Sequence, residues 1–215
     1  MKPSMRILVF LLASTSIACL LGEMYQLWPM RIFTLAVFLP ACCAIVAIAL
    51  HDFLRGDGKL CRIILVGALA GFVAAVSYDI FRLPFVFSNQ WGLNSVVPAL
   101  PLFKVFPKFG AMILGTTDST TLAANILGWV YHFSNGITFG VMYAMMINGQ
   151  WRRLWPVAIV FALGLELAML FTPYPAFFGI QVATAFVIVT LAAHAIFGVT
   201  MGRVSVGLGE RTAKC

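Results

Sequence analysis

IILVGALAGFVAAVSYDIF, residues 63–81, is a run of nineteen residues with a single charged residue, Asp79, close to its end. At about 1.5 Å per residue a helix of this length crosses most of a hydrocarbon core about 30 Å thick. Lipid offers no partner to an unpaired backbone amide, so a run of this kind is expected to be helical. Five more apolar runs follow the same rule: Ile7–Leu21, Ile32–Leu50, Thr121–Ile147, Leu154–Phe171 and Phe177–Met201. Ile7–Leu21 is the shortest. The 215-residue chain is 62% hydrophobic and 10% charged, with mean hydropathy +1.00, too little polar surface for a soluble domain. The expected fold is all-α: a polytopic transmembrane helical bundle of about six spans, one integral membrane domain over residues 1–215, with the lipid bilayer as its first partner.

The net charge of +7 reads as topology. With six spans and the N-terminus inside, ten basic residues fall on the inner side: Lys2, Arg6, Arg55, Lys59, Arg62, Arg152, Arg153, Arg203, Arg211 and Lys214. Arg31, Arg82, Lys104 and Lys108 fall on the outer side. That asymmetry is the positive-inside pattern of a bacterial inner-membrane protein with both termini cytoplasmic, and not a nucleic-acid footprint. Trp28, Trp91, Trp151, Trp155 and Tyr174 lie near span ends, as an aromatic belt would. The N-terminal MKPSMRILVFLLASTSIAC has the basic start and small residues of a signal, and Cys19 resembles a lipoprotein position. Leu20 and Leu21 after the cysteine favour an uncleaved first helix. The five cysteines have no metal-ligand spacing and read as small apolar residues.

Residues 1–60 form a plain helix pair with no ionisable group at its centre, and His51 and Asp52 read as part of a hydrated loop after it. Residues 61–150 and 151–205 look like two copies of one helical hairpin, spans 3–4 and 5–6, with residues 206–215 as a cytoplasmic tail. Pro84 and Phe87 match Pro175 and Phe178 at an offset of 91 residues, and His132 matches His194 at 62. Parallel copies of this sort occur in transporters. The long outer connection, residues 84–120, carries ALPLFKVFPKFGAMIL, in which Phe103, Phe106 and Phe109 alternate with Lys104 and Lys108. It is expected to lie in the outer interface as an anchor, or to cover an opening as a lid. GTTDST, residues 115–120, supplies several candidate N-caps for the next span, so Asp118 needs no functional role.

Each of the last four spans carries a ridge of small residues at four-residue steps with one ionisable group on it. These are Gly67, Gly71, Ala75 and Asp79; Gly128, His132, Gly136 and Gly140; Ala158, Ala162 and Glu166; and His194, Gly198 and Gly202. Small residues let helix backbones approach closely in lipid, so the ridges are expected to be packing lines and the ionisable groups to face neighbouring helices. A charged side chain at the bilayer centre costs roughly 2.5–3.5 kcal/mol on insertion scales, which argues for inward placement.

Three functions fit this pattern. In the first, Glu166 with His132 and His194, and with Asn135 and Asp79 beside them, forms a pathway through spans 3–6 for protons, a cation or a small solute. Histidine, with a reference pKa of about 6.5, exchanges protons near neutrality. In the second, His132 and His194 hold a haem, or join Glu166 around a transition metal. In the third, the chain is an assembly subunit whose glycine ridges recruit a second copy or another membrane protein. Ser134, Thr138 and Thr190 serve as interhelical hydrogen-bond partners in any of these readings, and Asp79 with Arg82 as a local pair at the outer interface. No P-loop, Gly-x-Ser-x-Gly, dinucleotide fingerprint or His-Glu-x-x-His is present, so no enzyme class is indicated.

Overall fold

The structure is a computed structural model that describes residues 3–212, with side chains through 210. Lys2, Lys214 and the Arg211 side chain, which entered the charge count, lie outside the described residues. The helices are α1 (Pro3–Met24), α2 (Met30–Phe33), α3 (Leu39–Arg55), α4 (Lys59–Val86), α5 (Val105–Leu114), α6 (Leu122–Ile147), α7 (Trp151–Leu154), α8 (Val157–Leu170), α9 (Tyr174–Phe178) and α10 (Thr184–Thr212). A π-helical turn, Thr34–Phe38, joins α2 to α3 into one rod just before Pro40, whose ring cannot fit a regular α-helical interior. No strand occurs among the described residues. His51 and Asp52 belong to α3 and not to a loop. Asp52 instead accepts a bond from the Cys61 amide in the first turn of α4. Thr121, and not Asp118, caps α6, its hydroxyl accepting from the Ala124 amide at 3.2 Å. Residues 206–212 continue α10, with Gly209 against Trp151.

Four helices are long and apolar enough to cross a membrane: Pro3–Met24, Met30–Arg55, Lys59–Val86 and Thr184–Glu210. The chain is therefore a membrane protein by the length and composition of its helices. The two other expected spans fall short for different reasons. α6 has 26 residues, but Asn125, His132, Ser134 and Asn135 lower its hydropathy. α8 has 14, because Pro156 starts a new helix after the short α7 and the chain turns at Phe171.

Antiparallel α4 and α6 form the centre, and α10 packs along the other side of α4. α8 packs on α10 and barely touches α6, which leaves a cleft between α6 and α8. The glycine ridges set these contacts. A Cβ on Gly67 would lie 2.6 Å from the Gly140 carbonyl oxygen, and one on Gly136 would lie 2.7 Å from the Ala75 Cβ. On the second pair, a Cβ on Gly198 would lie 2.6 Å from the Ile159 Cα, and one on Gly202 would lie 3.3 Å from the Ala158 Cβ. α1 is more than a plain scaffold helix. Its buried Ser16 bonds Thr138 of α6 at 2.7 Å, and its backbone carbonyl accepts from the Tyr131 hydroxyl. Arg6 closes the C-terminus of α6, donating to the Met145 and Met146 carbonyls. The described chain ends thus lie at one end of the bundle, the terminal end; the connection between α4 and α6 lies at the other, the loop end.

The expected interfacial segment is placed differently. α5 does not lie flat but runs along α6, with Phe106, Phe109, Gly110 and Ala111 buried. Gly128 meets the Phe106 carbonyl and Gly110 meets the Ala124 carbonyl, so the start of α5 is sunk about two turns below the start of α6. Phe103 and Phe106 pack on Trp129, Phe106 also on His132, and Phe109 on Tyr131 and Phe178, more than an interface would offer.

Candidate functional site

Each antiparallel pair carries one carboxylate and one histidine in contact. Asp79 Oδ2 of α4 lies 2.8 Å from His132 Nε2 of α6. Glu166 Oε2 of α8 lies 3.2 Å from His194 Nδ1 of α10. The small-residue ridges cause this, because in both pairs the acid and the histidine lie on the ridges one to two turns beyond the closest backbone approach. Glu166 follows Asp79 by 87 residues, so the contacts relate α4 to α8 one turn away from the 91-residue offset of the proline match.

The partners decide the tautomers. A carboxylate only accepts, so Nε2 of His132 carries the hydrogen and Nδ1 keeps the lone pair. His194 has the opposite arrangement. Its Nδ1 also lies 2.9 Å from the Thr190 carbonyl, so the hydrogen sits on Nδ1, shared between two acceptors, and Nε2 is free.

Arg82 joins the first pair. Nη1 lies 3.3 Å from Asp79 Oδ1, and Nη2 donates to the Leu102 carbonyl at 2.6 Å, which ties α4 to the chain entering α5. The guanidinium lies 4.5 Å from the Tyr78 ring centroid. Asp79, Arg82 and Glu166 are 8%, 4% and 3% exposed, so this is a buried cluster and not the expected pair at an outer interface. With both imidazoles neutral, its two carboxylates and one guanidinium leave one negative charge unbalanced.

Two cavities meet at this cluster. The one nearer the loop end, about 40 Å³ accessible to water, is lined by Arg82, Glu166, Leu102, Val105, Tyr174 and Thr190 among others. The one nearer the terminal end, about 90 Å³, is lined by His132, His194, Asn135, Phe139 and Leu165, with Ile17 and Leu20 of α1. Tyr78, Met169 and Tyr174 line both and form the wall between them. The Tyr78 ring lies 6.0 Å from the His132 ring and 4.9 Å from that of His194.

His132, His194, Asn135, Glu166 and Asp79 are therefore brought together around one wall. Asn135 has a buried Oδ1 without a hydrogen-bond partner. Of the expected interhelical partners, Thr138 reaches α1 as described, whereas Ser134 bonds the Tyr131 carbonyl and Thr190 the Val187 carbonyl of their own helices. Tyr78, Leu102 and Phe106, which stacks on His132 at 4.2 Å, were not among the expected site residues. The one signal for this environment was Arg82 itself, an arginine one turn from Asp79 with apolar residues on either side.

The metal reading finds less support. No group of three His, Cys, Asp or Glu residues that could hold a metal ion occurs among the described residues. Comparison with known protein families, with curated proteins and with solved structures gives no match.

Proposed function

We propose that the chain is a small proton-coupled transporter of six crossings, with both termini on the cytoplasmic side of an inner-type membrane. α6 crosses despite its polar residues, because His132 and Asn135 turn into the bundle, Ser134 bonds a carbonyl of its own helix and Asn125 lies in the first turn. Trp151–Phe171, comprising α7 and α8, makes the fifth crossing. The distribution of basic residues supports the orientation.

The observation that carries the proposal is the contact between Glu166 and His194, because the two groups line different cavities. A proton leaving the terminal-end cavity adds to His194 Nε2 while the Nδ1 hydrogen passes to Glu166. The ring is left with its hydrogen on Nε2, and Glu166 can release the proton into the loop-end cavity. The reverse sequence carries a proton the other way, and a ring flip that returns the hydrogen to the Glu166 side resets the histidine as a relay between the two cavities. Two carboxylates against one guanidinium favour the uptake of a proton.

The test is proton flux into vesicles reconstituted with the protein and loaded with a pH-sensitive dye. Glu166→Gln is expected to reduce flux to that of empty vesicles. Flux equal to the parent's would overturn the relay.

A further inference from the structure

We infer that the loop-end cavity binds a small monovalent anion, of the size of formate or nitrate, on Arg82. This names the solute of the proposed transporter and rests on that reading for its direction of movement.

The primary observation is an unpaired donor. Arg82 is 4% exposed, its two Nη groups have partners, and its buried Nε has none. A buried N–H without an acceptor is costly, and native structures leave few of them. The planar fork of a guanidinium suits a carboxylate or nitrate better than any neutral group. The second observation is where α5 begins. Val105 and Leu102 line the same cavity, so the positive end of a ten-residue re-entrant helix faces it. Broken helices in transporters present their N-termini to anionic substrates in this way.

Size and charge narrow the ligand. A water needs about 10–15 Å³ of accessible volume, so about 40 Å³ admits a solute of three or four heavy atoms. Tyr78 and Arg82 of α4, Glu166 of α8 and Tyr174 of α9 line it, and Asp79 of α4, His132 of α6 and His194 of α10 stand in the adjoining pairs. On α5, Lys104 is exposed and Lys108 donates to the Phe178 carbonyl at 2.8 Å. Adding an anion to a cluster already one charge negative requires proton uptake, and Glu166 repels the anion until it is protonated. Binding is thus linked to protons, as symport requires.

The experiment is saturation-transfer NMR of the formate proton with the full chain in detergent, with nitrate as competitor, between about pH 5.5 and about pH 8, a window around the ordinary histidine value. Expected is a saturable signal that nitrate displaces and that weakens as pH rises. Glu166→Gln is expected to bind about tenfold or more tightly than the parent at the alkaline end. The slope of its log affinity against pH is expected to fall by one proton. Arg82→Gln should lose the signal; if that variant does not fold, the Glu166→Gln comparison decides alone. No saturable signal, no displacement by nitrate, or an unchanged slope in Glu166→Gln would overturn the inference. Proton flux that persists without formate or nitrate binding overturns the anion site alone, whereas binding without flux overturns the transporter and keeps the site.

Discussion

His194 and Glu166 are held at 3.2 Å by a backbone contact two turns away, where Gly202 lets α10 settle onto Ala158 and Trp155. The site therefore depends on glycines that never touch it.

Gly140→Ala would place a methyl against the Gly67 carbonyl and the Gly71 backbone, which cannot move aside as a side chain could. A loss of about 1–3 kcal/mol is expected from overpacking. Gly164→Ala is the control: nothing lies within 4 Å of its added carbon, so helix propensity should leave stability unchanged or raised by about 0.5–1 kcal/mol. Unfolding by titrated denaturing detergent, followed by circular dichroism, measures both.

Asp79→Asn leaves the Arg82 guanidinium buried at 4% exposure without its counter-charge. Breaking a buried pair from one side costs about 3–5 kcal/mol, and removing both charges restores much of it. The double variant Asp79→Asn with Arg82→Gln should accordingly be more stable than Asp79→Asn alone in the same unfolding assay.

His194→Gln separates packing from titration. The Gln amide can still donate to Glu166 or Thr190 but carries no exchangeable charge. Stability within about 1 kcal/mol of the parent is expected together with loss of proton flux. Retained flux would assign His194 a packing role only.

Tyr78→Ala removes the ring from the wall that both cavities share, and Tyr78→Phe keeps it. The Ala variant is expected to leak protons down an imposed gradient, and the Phe variant to behave as the parent. Dye-loaded vesicles distinguish the two.

Asp118 lies outside the spans, where the Thr120 hydroxyl at 2.7 Å and amide at 2.8 Å hold its carboxyl below the ordinary 3.8. A depressed value in the folded state stabilises above the unfolded pKa and is lost as pH falls through the folded one. The stability difference between the parent and Asp118→Ala should thus be constant near neutrality and disappear in strong acid.

Residues 63–81 and the other apolar runs announced a helical membrane protein because hydropathy is a sum over neighbours in the chain. The four-residue ridges likewise announced which faces pack, since helical period is local. The inward placement of Asp79, His132, Glu166 and His194 followed from the same ridges. Which acid meets which histidine was not legible. Asp79 and His132 are 53 residues apart, and their contact depends on the register in which α4 and α6 cross. A shift of one turn, the difference between an 87- and a 91-residue offset, would separate them. The sunken position of α5 was hidden for a similar reason: its alternating Phe and Lys residues suit a membrane surface, and only the groove beside Gly128 offers the phenylalanines a better site. Composition and period by themselves determined that this chain is a membrane bundle with polar groups turned inward. Only the tertiary structure decided that those groups form two carboxylate–histidine pairs across a tyrosine wall, because pairing is set by the angle and depth at which helices cross, and no property of one helix contains that information.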